Sequence, residues 1–334
     1  MFKAVVISNT ENKYLTEYQE ISESDLPAGD ITIDVEYSSI NYKDALAITG
    51  RSPVVRNFPM VPGIDLAGTV SGCTNNAFKE GDAVLLTGWG VGERHWGGLA
   101  QKARVNSEWL MPLPEGSTSH QVMSIGTAGF TAMLCVDALI KHGISPADGP
   151  VLVTGASGGV GSYAIIILKS LGYDIIASTG QAEKNVSFLT KLGADEIITR
   201  VQLATPGKPL QKERWAAAID TVGSHTLVNV CAGTKYGGAV AACGMAQGLD
   251  MIGSVAPFIL RGITLHGIDS VMAGRSQRSD IWRKVCRYLT ADKLAGLTTT
   301  LPLSTAIEAA HLLLEGNAKG RMVIDCRQVI DLNT

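Results

Sequence analysis

Charge is scarce in this chain. Asp, Glu, Lys and Arg make up 18% of its 334 residues and leave a formal net charge of −3. That balance argues against a polyanion-binding surface, so no nucleic-acid partner is expected. The six cysteines (Cys73, Cys135, Cys231, Cys243, Cys286 and Cys326) never fall in a C-x-x-C pair. Such spacing builds neither a zinc ribbon nor a disulfide framework, and it suits a reducing cytoplasm. Apolar runs are interrupted: no stretch reads as long enough to cross a bilayer, so no membrane partner is expected. The opening run Met1–Ile7 is strand-like and too short for a secretory core. Low-complexity segments and fixed-period repeats are missing as well. What the chain has in quantity is apolar residues, 46% of the total. That fraction fits large buried sheets, and the length exceeds one ordinary core, so two domains are expected.

The most informative stretch is Val151–Gly161, V-L-V-T-G-A-S-G-G-V-G. A short apolar strand runs into a turn of small residues, and an apolar helix follows from Ser162. Strand, glycine turn and helix open a βαβ unit whose helix start offers free N–H groups to a pyrophosphate. Only small residues allow that close approach, and the context of strand and helix raises the value of the fingerprint. Ser157, Gly158, Gly159 and Val160 are the candidate phosphate contacts. The next strand, Asp174–Ser178, decides coenzyme preference. An acidic residue at its tip would accept from the ribose hydroxyls of NAD and repel a 2′-phosphate. Here the tip reads Ser178-Thr179-Gly180-Gln181, with no carboxylate among these four, and Lys184 stands close behind. Hydroxyls, an amide and an ammonium suit the extra phosphate, so NADP is the expected cofactor. Ser178 and Thr179 could equally cap the helix that starts near Ala182.

Strands and helices then alternate through Gly244, implying a parallel sheet. Cys243 stands at a strand end, where it either lines the nicotinamide site or is buried core. Residues 1 to about 120 read instead as mostly β, with strands at Ile31–Tyr37, Asp65–Val70 and Ala83–Leu86. The strand-like pattern also returns after about Pro257. Asn41-Tyr42-Lys43-Asp44 follows a strand and opens a short helix. Tyr42 could donate a proton or a hydrogen bond, oriented by Asp44 or Lys43. The alternative is structural: Asn41 as helix cap, Asp44 supporting the first turn and Tyr42 packed in the core. The loop Gly88–Gly98 is rich in glycine and tryptophan, either closing over a ligand or forming a rigid turn.

These blocks resemble the medium-chain dehydrogenase/reductase superfamily over essentially the whole chain. Within it the chain is similar to the zinc-free quinone-oxidoreductase-like branch, and most of all to bacterial NADPH-dependent acrylyl-CoA reductases. The residues that carry this are Asn41–Gly50, Phe58–Val70, Leu85–Ala100, Gly126–Val136, Val153–Ser162, Ala218–Gly223 and Pro257–Arg261. The resemblance implies an α/β protein in two parts. One is a GroES-like β-rich catalytic domain from residues 1–125 and 258–334. The other is a Rossmann doubly wound parallel sheet over 126–257, with the cofactor in the cleft between them. Zinc alcohol dehydrogenases have a Cys where this chain has Asn41, and Gly-His-Glu at Gly63-Ile64-Asp65, so no metal is expected. The resemblance also implies that Tyr42 and the Ser157–Val160 turn hold NADP, that Thr179–Gln181 meet the 2′-phosphate, and that Arg278 and Asn317–Arg321 add polar contacts. It makes Asn41, Tyr42 and Asp44 the catalytic candidates. The implied reaction is reduction of the C=C bond of acrylyl-CoA to propanoyl-CoA. The alternatives are reduction of a quinone or other enone by the same path, or a non-catalytic NADPH-binding protein. A CoA thioester or enone partner, a cytoplasmic location and a homodimer complete the expectations.

Overall fold

The computed structural model describes residues 1–11, 13–316 and 320–328. They fall into two units: Met1–Thr127 with Val271–Cys286 and Thr290–Thr334, and Ala128–Ser270 with Arg287–Leu289. The first unit opens with an antiparallel ribbon, β1 (Phe2–Thr10) and β2 (Lys13–Ile21). The sequence shows only the start of β1. β2 is largely polar and half-exposed, so it leaves no apolar run to read. Next come β3 (Ile31–Ile40), α1 (Tyr42–Thr49), β4 (Asp65–Cys73), β5 (Ala83–Thr87), β6 (Lys102–Val105) and β7 (Met111–Pro112).

α2 (Ser119–His142) carries the chain into the second unit. By length and composition α2 could cross a membrane, contrary to the expectation that no stretch could. Its apolarity is spent inside the protein, with 83% of the qualifying window buried. β8 (Val151–Thr154), α3 (Gly159–Ser170), β9 (Ile175–Thr179), α4 (Ala182–Leu192), β10 (Glu196–Thr199), β11 (Trp215–Asp220), α5 (Ser224–Gly233), β12 (Thr234–Ala242), α6 (Ala256–Arg261) and β13 (Thr264–Gly267) follow. Their strands form a wholly parallel sheet in the order β10-β9-β8-β11-β12-β13. β8, β9 and β11 are buried along their whole length, as continuous apolar strands of a doubly covered sheet must be. The order reverses between β8 and β11, the switch point where open α/β sheets take ligands.

α7 (Arg275–Tyr288), α8 (Ala291–Ala295), β14 (Thr298–Pro302), α9 (Ala306–Leu314) and β15 (Arg321–Asp325) return the chain to the first unit. There the larger sheet runs β14-β15-β3-β4-β5-β7, with β6 also on β3. β15 pairs with β3, Ile324 opposite Ser38, so the last strand closes on one of the first. The core of this unit gathers Ile31, Ile33, Leu66, Val84 and Leu86 from the sheet with Ala306 and Ala310 from α9. The return expected at residue 258 comes at Val271 instead. β13 pairs with β12, Leu265 opposite Val240, and belongs to the parallel sheet. Its polar alternation reflects an edge position, not a change of domain.

Candidate functional site

Two sets of residues stand out, one in each unit. In the first unit Asn41 caps α1, and Asp44 completes the capping box. Asp44 Oδ2 accepts from Asn41 N at 2.9 Å and from Asn41 Nδ2 at 3.0 Å. Its other oxygen accepts from the Gly63 and Ile64 N–H groups, at 3.2 and 2.9 Å. Behind that segment lies the glycine-rich loop. Gly97, Gly98 and Leu99 donate to the carbonyls of Val61, Gly63 and Pro62 at 2.7–2.9 Å. A β-carbon on Gly97 would come within 2.2 Å of the Gly63 oxygen. The loop is therefore a rigid backing for residues 61–65.

Asp65, the first residue of β4, is fully buried and neutralised by Arg321, at the start of β15, at 2.7 Å. Asn41 Nδ2 and Ser39 Oγ also donate to Asp65 Oδ2, at 2.9 and 2.7 Å. Thr127 gives Asp65 its N–H at 3.0 Å and its hydroxyl at 2.5 Å. Arg321 Nη1 donates to Asn41 Oδ1 at 2.6 Å. Gly126 lets α2 come this close. Its φ of 52° and ψ of −163° break the helix. A β-carbon there would stand 2.0 Å from Arg321 Nη2. Only glycine satisfies both the backbone angle and the space.

Three expectations are corrected here. Asp44 does not orient Tyr42: both its oxygens are committed to Asn41 and the 63–64 backbone, so it acts by holding those groups. Lys43 is likewise turned away, paired with Glu93 at 3.1 Å. Arg321, expected to add a polar contact to the cofactor, is instead 4% exposed and committed to Asp65, Asn41 and Ser39. Tyr42 is different. It is 51% exposed, at the first turn of α1. Burial, with Asp65 adding to it, pushes the Asp44 carboxyl up to about 6. The unfolded chain would release that proton near 3.8. Between those values the folded form holds the extra proton. This contribution to stability is thus full below pH ~4 and lost as the pH rises through ~6. Asp44→Asn should flatten that fall. Chemical unfolding at pH 5 and pH 7 tests it: an unchanged pH difference in the variant rules Asp44 out as its source.

The second unit holds the glycine turn. α3 starts at Gly159, and its cap residue Gly158 provides no side-chain bond, so the first N–H groups are left for a ligand. Gly158 is exposed, and Ser157, Gly159 and Val160 are partly so. Bulk is excluded around them: a β-carbon on Gly155 would meet Thr221 Oγ1 at 2.1 Å, and one on Gly161 would meet the Gly155 oxygen at 2.4 Å. Asp220, buried at the end of β11, accepts from Thr154 Oγ1 at 2.6 Å and from the Gly223 N–H at 2.7 Å. Those bonds tie the ends of β8 and β11 together at the switch point. Cys243 is partly buried beside them, its thiol toward the Asp220 carbonyl at 3.5 Å.

At the tip of β9 the hydroxyls turn inward. Ser178 and Thr179 are 1% and 2% exposed. Thr179 Oγ1 meets Ser157 Oγ at 3.1 Å and accepts from Asn185 Nδ2 at 3.3 Å. These two side chains shape the turn and are not open to a phosphate. Gly180, Gln181 and Lys184 are exposed. Arg278 lies elsewhere, 2% exposed in the first unit. It donates to Thr87 Oγ1 at 3.0 Å, to the Ala273 carbonyl at 2.9 Å and to the Val271 carbonyl at 2.7 Å, and it covers the Trp89 ring. Its expected contact to the cofactor is corrected to a structural one. Asn317 lies outside the described residues.

Two family models match the chain. The alcohol dehydrogenase GroES-like domain covers residues 27–115, and the family described as zinc-binding dehydrogenase covers 159–289. The acrylyl-CoA reductase AcuI of Ruegeria pomeroyi is 47% identical over 97% of this chain and 99% of its own. The yhdH oxidoreductase of Salmonella enterica, solved in complex with NADP, superposes with a TM-score of 0.94 at 48% identity, covering 97% of this chain and 99% of that one. The yhfP protein of Bacillus subtilis, solved with NAD bound, reaches 0.92 at 39% identity over 97% and 99%. The chain belongs to the quinone-oxidoreductase-like branch of the medium-chain dehydrogenases/reductases.

Zinc, which one of these family descriptions implies, does not fit this member. Ile64 has no donor atom. Asn41 has its amide oxygen on Arg321 and its nitrogen on Asp44 and Asp65. A guanidinium already sits on the Asp65 carboxylate. Among the described residues no three His, Cys, Asp or Glu side chains stand together as a metal site. A nicotinamide dinucleotide does fit: the turn after β8 is small, its N–H groups are uncapped, and the tip of β9, Ser178-Thr179-Gly180-Gln181, carries no carboxylate.

Proposed function

We propose that this protein is an NADPH-dependent reductase of the activated C=C bond of acrylyl-CoA, working without a metal. The observation that carries this is 47% identity over nearly the full chain to a protein named acrylyl-CoA reductase, joined to a site with no place for zinc. In this reading the backbone of Ser157–Val160 holds the pyrophosphate, and Gly180, Gln181 and Lys184 flank the adenosine end. NADPH, when bound, supplies the hydride. The protein's task is to receive the charge that gathers on the thioester oxygen and to deliver a proton to the α-carbon. Tyr42 is the exposed donor for it, and Asn41 and Asp44 fix the helix start that carries it. NADPH oxidation measured side by side with acrylyl-CoA, a longer enoyl-CoA and a simple quinone tests the reading. Turnover should be fastest with acrylyl-CoA. Preference for the quinone would move the assignment to a quinone reductase, and no consumption despite tight NADPH binding would make the protein non-catalytic.

We place this activity in the cytoplasm, in keeping with the free cysteines among the described residues. A homodimer is the second part of the proposal. β13 is the edge of the parallel sheet, and the neighbouring α6 leaves Ile259 and Leu260 75% and 64% exposed. An unpaired edge beside an apolar face suits a two-fold contact with a second copy. Sedimentation at the monomer mass would overturn it.

A further inference from the structure

Two cysteines meet at the end of the parallel sheet where its ligands bind. Cys243 follows the last residue of β12 and is partly exposed. Its thiol donates to the Asp220 carbonyl at 3.5 Å, and its backbone N–H donates to the same oxygen at 2.9 Å. Behind it stands Cys135 on α2, 0% exposed, whose thiol donates to the Cys243 sulfur. That bond, and then burial, hold the Cys135 thiol protonated well above the ordinary thiol range. Phe130, Leu134, Val136 and Leu139 bury the same stretch of α2. An oxidant in solution therefore meets Cys243 first. Cys286 is also partly exposed, but it faces the Ser117 hydroxyl at 3.8 Å instead of a second thiol.

A lone free cysteine is ordinarily just small apolar core. Two thiols in contact, one of them reached by solvent, can trap a sulfenic acid as a disulfide. We propose that Cys243 and Cys135 are a peroxide-responsive dithiol, and that joining them closes the coenzyme site. The Cys243 sulfur attacks one oxygen of hydrogen peroxide, the O–O bond breaks, and a sulfenic acid and one water result. The Cys135 sulfur then attacks the sulfenic sulfur, whose hydroxyl leaves with the Cys135 proton as a second water. Two thiols and one peroxide become one disulfide and two waters. Disulfides of the cytoplasm are mostly of this transient, sensing kind. The strand end has no slack to absorb the change. Gly244 passes so close that a β-carbon on it would lie 2.1 Å from the Thr221 carbonyl oxygen. Thr221 gives its N–H to Thr154 Oγ1 and its hydroxyl to the Thr154 carbonyl, both at 3.0 Å. Thr154 is the last residue of β8, directly before the glycine turn. Drawing Cys243 onto α2 takes its thiol off the Asp220 carbonyl and pulls on this row from β12 through β11 to β8.

The closing of the site rests on NADPH being the coenzyme, and the test reads the two apart. Reduced full-length protein is treated with hydrogen peroxide, with and without NADPH. Peptide mass mapping follows the sulfur chemistry, and coenzyme fluorescence follows binding. The peptides that carry Cys135 and Cys243 should become disulfide-linked, and NADPH affinity should fall by about tenfold or more. Dithiothreitol should restore both, and bound NADPH should slow the linkage. Cys135→Ala should bind NADPH as wild type does before treatment. Under peroxide it should lose the linkage and carry Cys243 on to sulfinic acid, which dithiothreitol does not reverse. Cys243→Ser should leave Cys135 unmodified, a second check should the first variant fold poorly. Oxidised Cys243 without linkage in wild type, or no reaction at Cys243, overturns the pairing. Linkage with unchanged NADPH affinity overturns its control of the site. Reduced wild type that binds no NADPH overturns the coenzyme assignment and the closing of its site, while the linkage is still decided by mass.

Discussion

Arg321→Leu should destabilise the first unit by about 3–5 kcal/mol, the range for removing one partner of a buried ion pair. The size follows from what is left behind. Asp65 is fully buried, and Arg321 is its only charged partner among the described residues. Ser39, Asn41 and Thr127 would still donate to Asp65, but neutral donors do not replace a guanidinium at 2.7 Å. Asn41 would also lose the donor to its amide oxygen, and through Asn41 the start of α1 would loosen. Denaturant unfolding followed by tryptophan fluorescence gives the number, Trp89 and Trp282 both lying in this unit. The double variant Arg321→Leu with Asp65→Leu should recover much of the loss, because it leaves no charge stranded. A single variant that costs less than about 1 kcal/mol would mean that water reaches Asp65 and that the pair is not structural.

The same pair shows where sequence reading succeeds and where it stops. The parallel sheet was legible because its strands are continuous apolar runs broken by glycine turns, and β8 with its turn carries the plainest signal. The helix starting near Asn41 was legible from its capping box. Arg321 was not, since it stands 256 residues from Asp65 and no local pattern links them. Nor could the sequence show that Ser178 and Thr179 point inward, because a five-residue strand buried on both faces hides its polar members. At Asn41 and Asp44 the structural alternative describes the geometry, the pair securing the helix start, while Tyr42 is exposed and not packed in the core.

That division of labour makes Tyr42 the place where the largest catalytic effect is expected. Tyr42→Phe should lower kcat with acrylyl-CoA by about 10²- to 10⁴-fold, the range for losing a positioned proton donor. NADPH affinity should stay within about twofold, since the ring is kept and only the hydroxyl is removed. Packing gives no reason for the variant to unfold, because the side chain is 51% exposed and its helix is held by Asn41 and Asp44. Stopped-flow turnover in H₂O and D₂O, beside direct NADPH titration, separates the roles. If the phenol donates the proton, the solvent isotope effect of the wild type should change in the variant along with kcat. A loss confined to NADPH affinity would make Tyr42 a cofactor support. Unchanged turnover would remove it from the chemistry and leave water as the proton source, held by a backbone whose geometry Asp44 and Asp65 maintain.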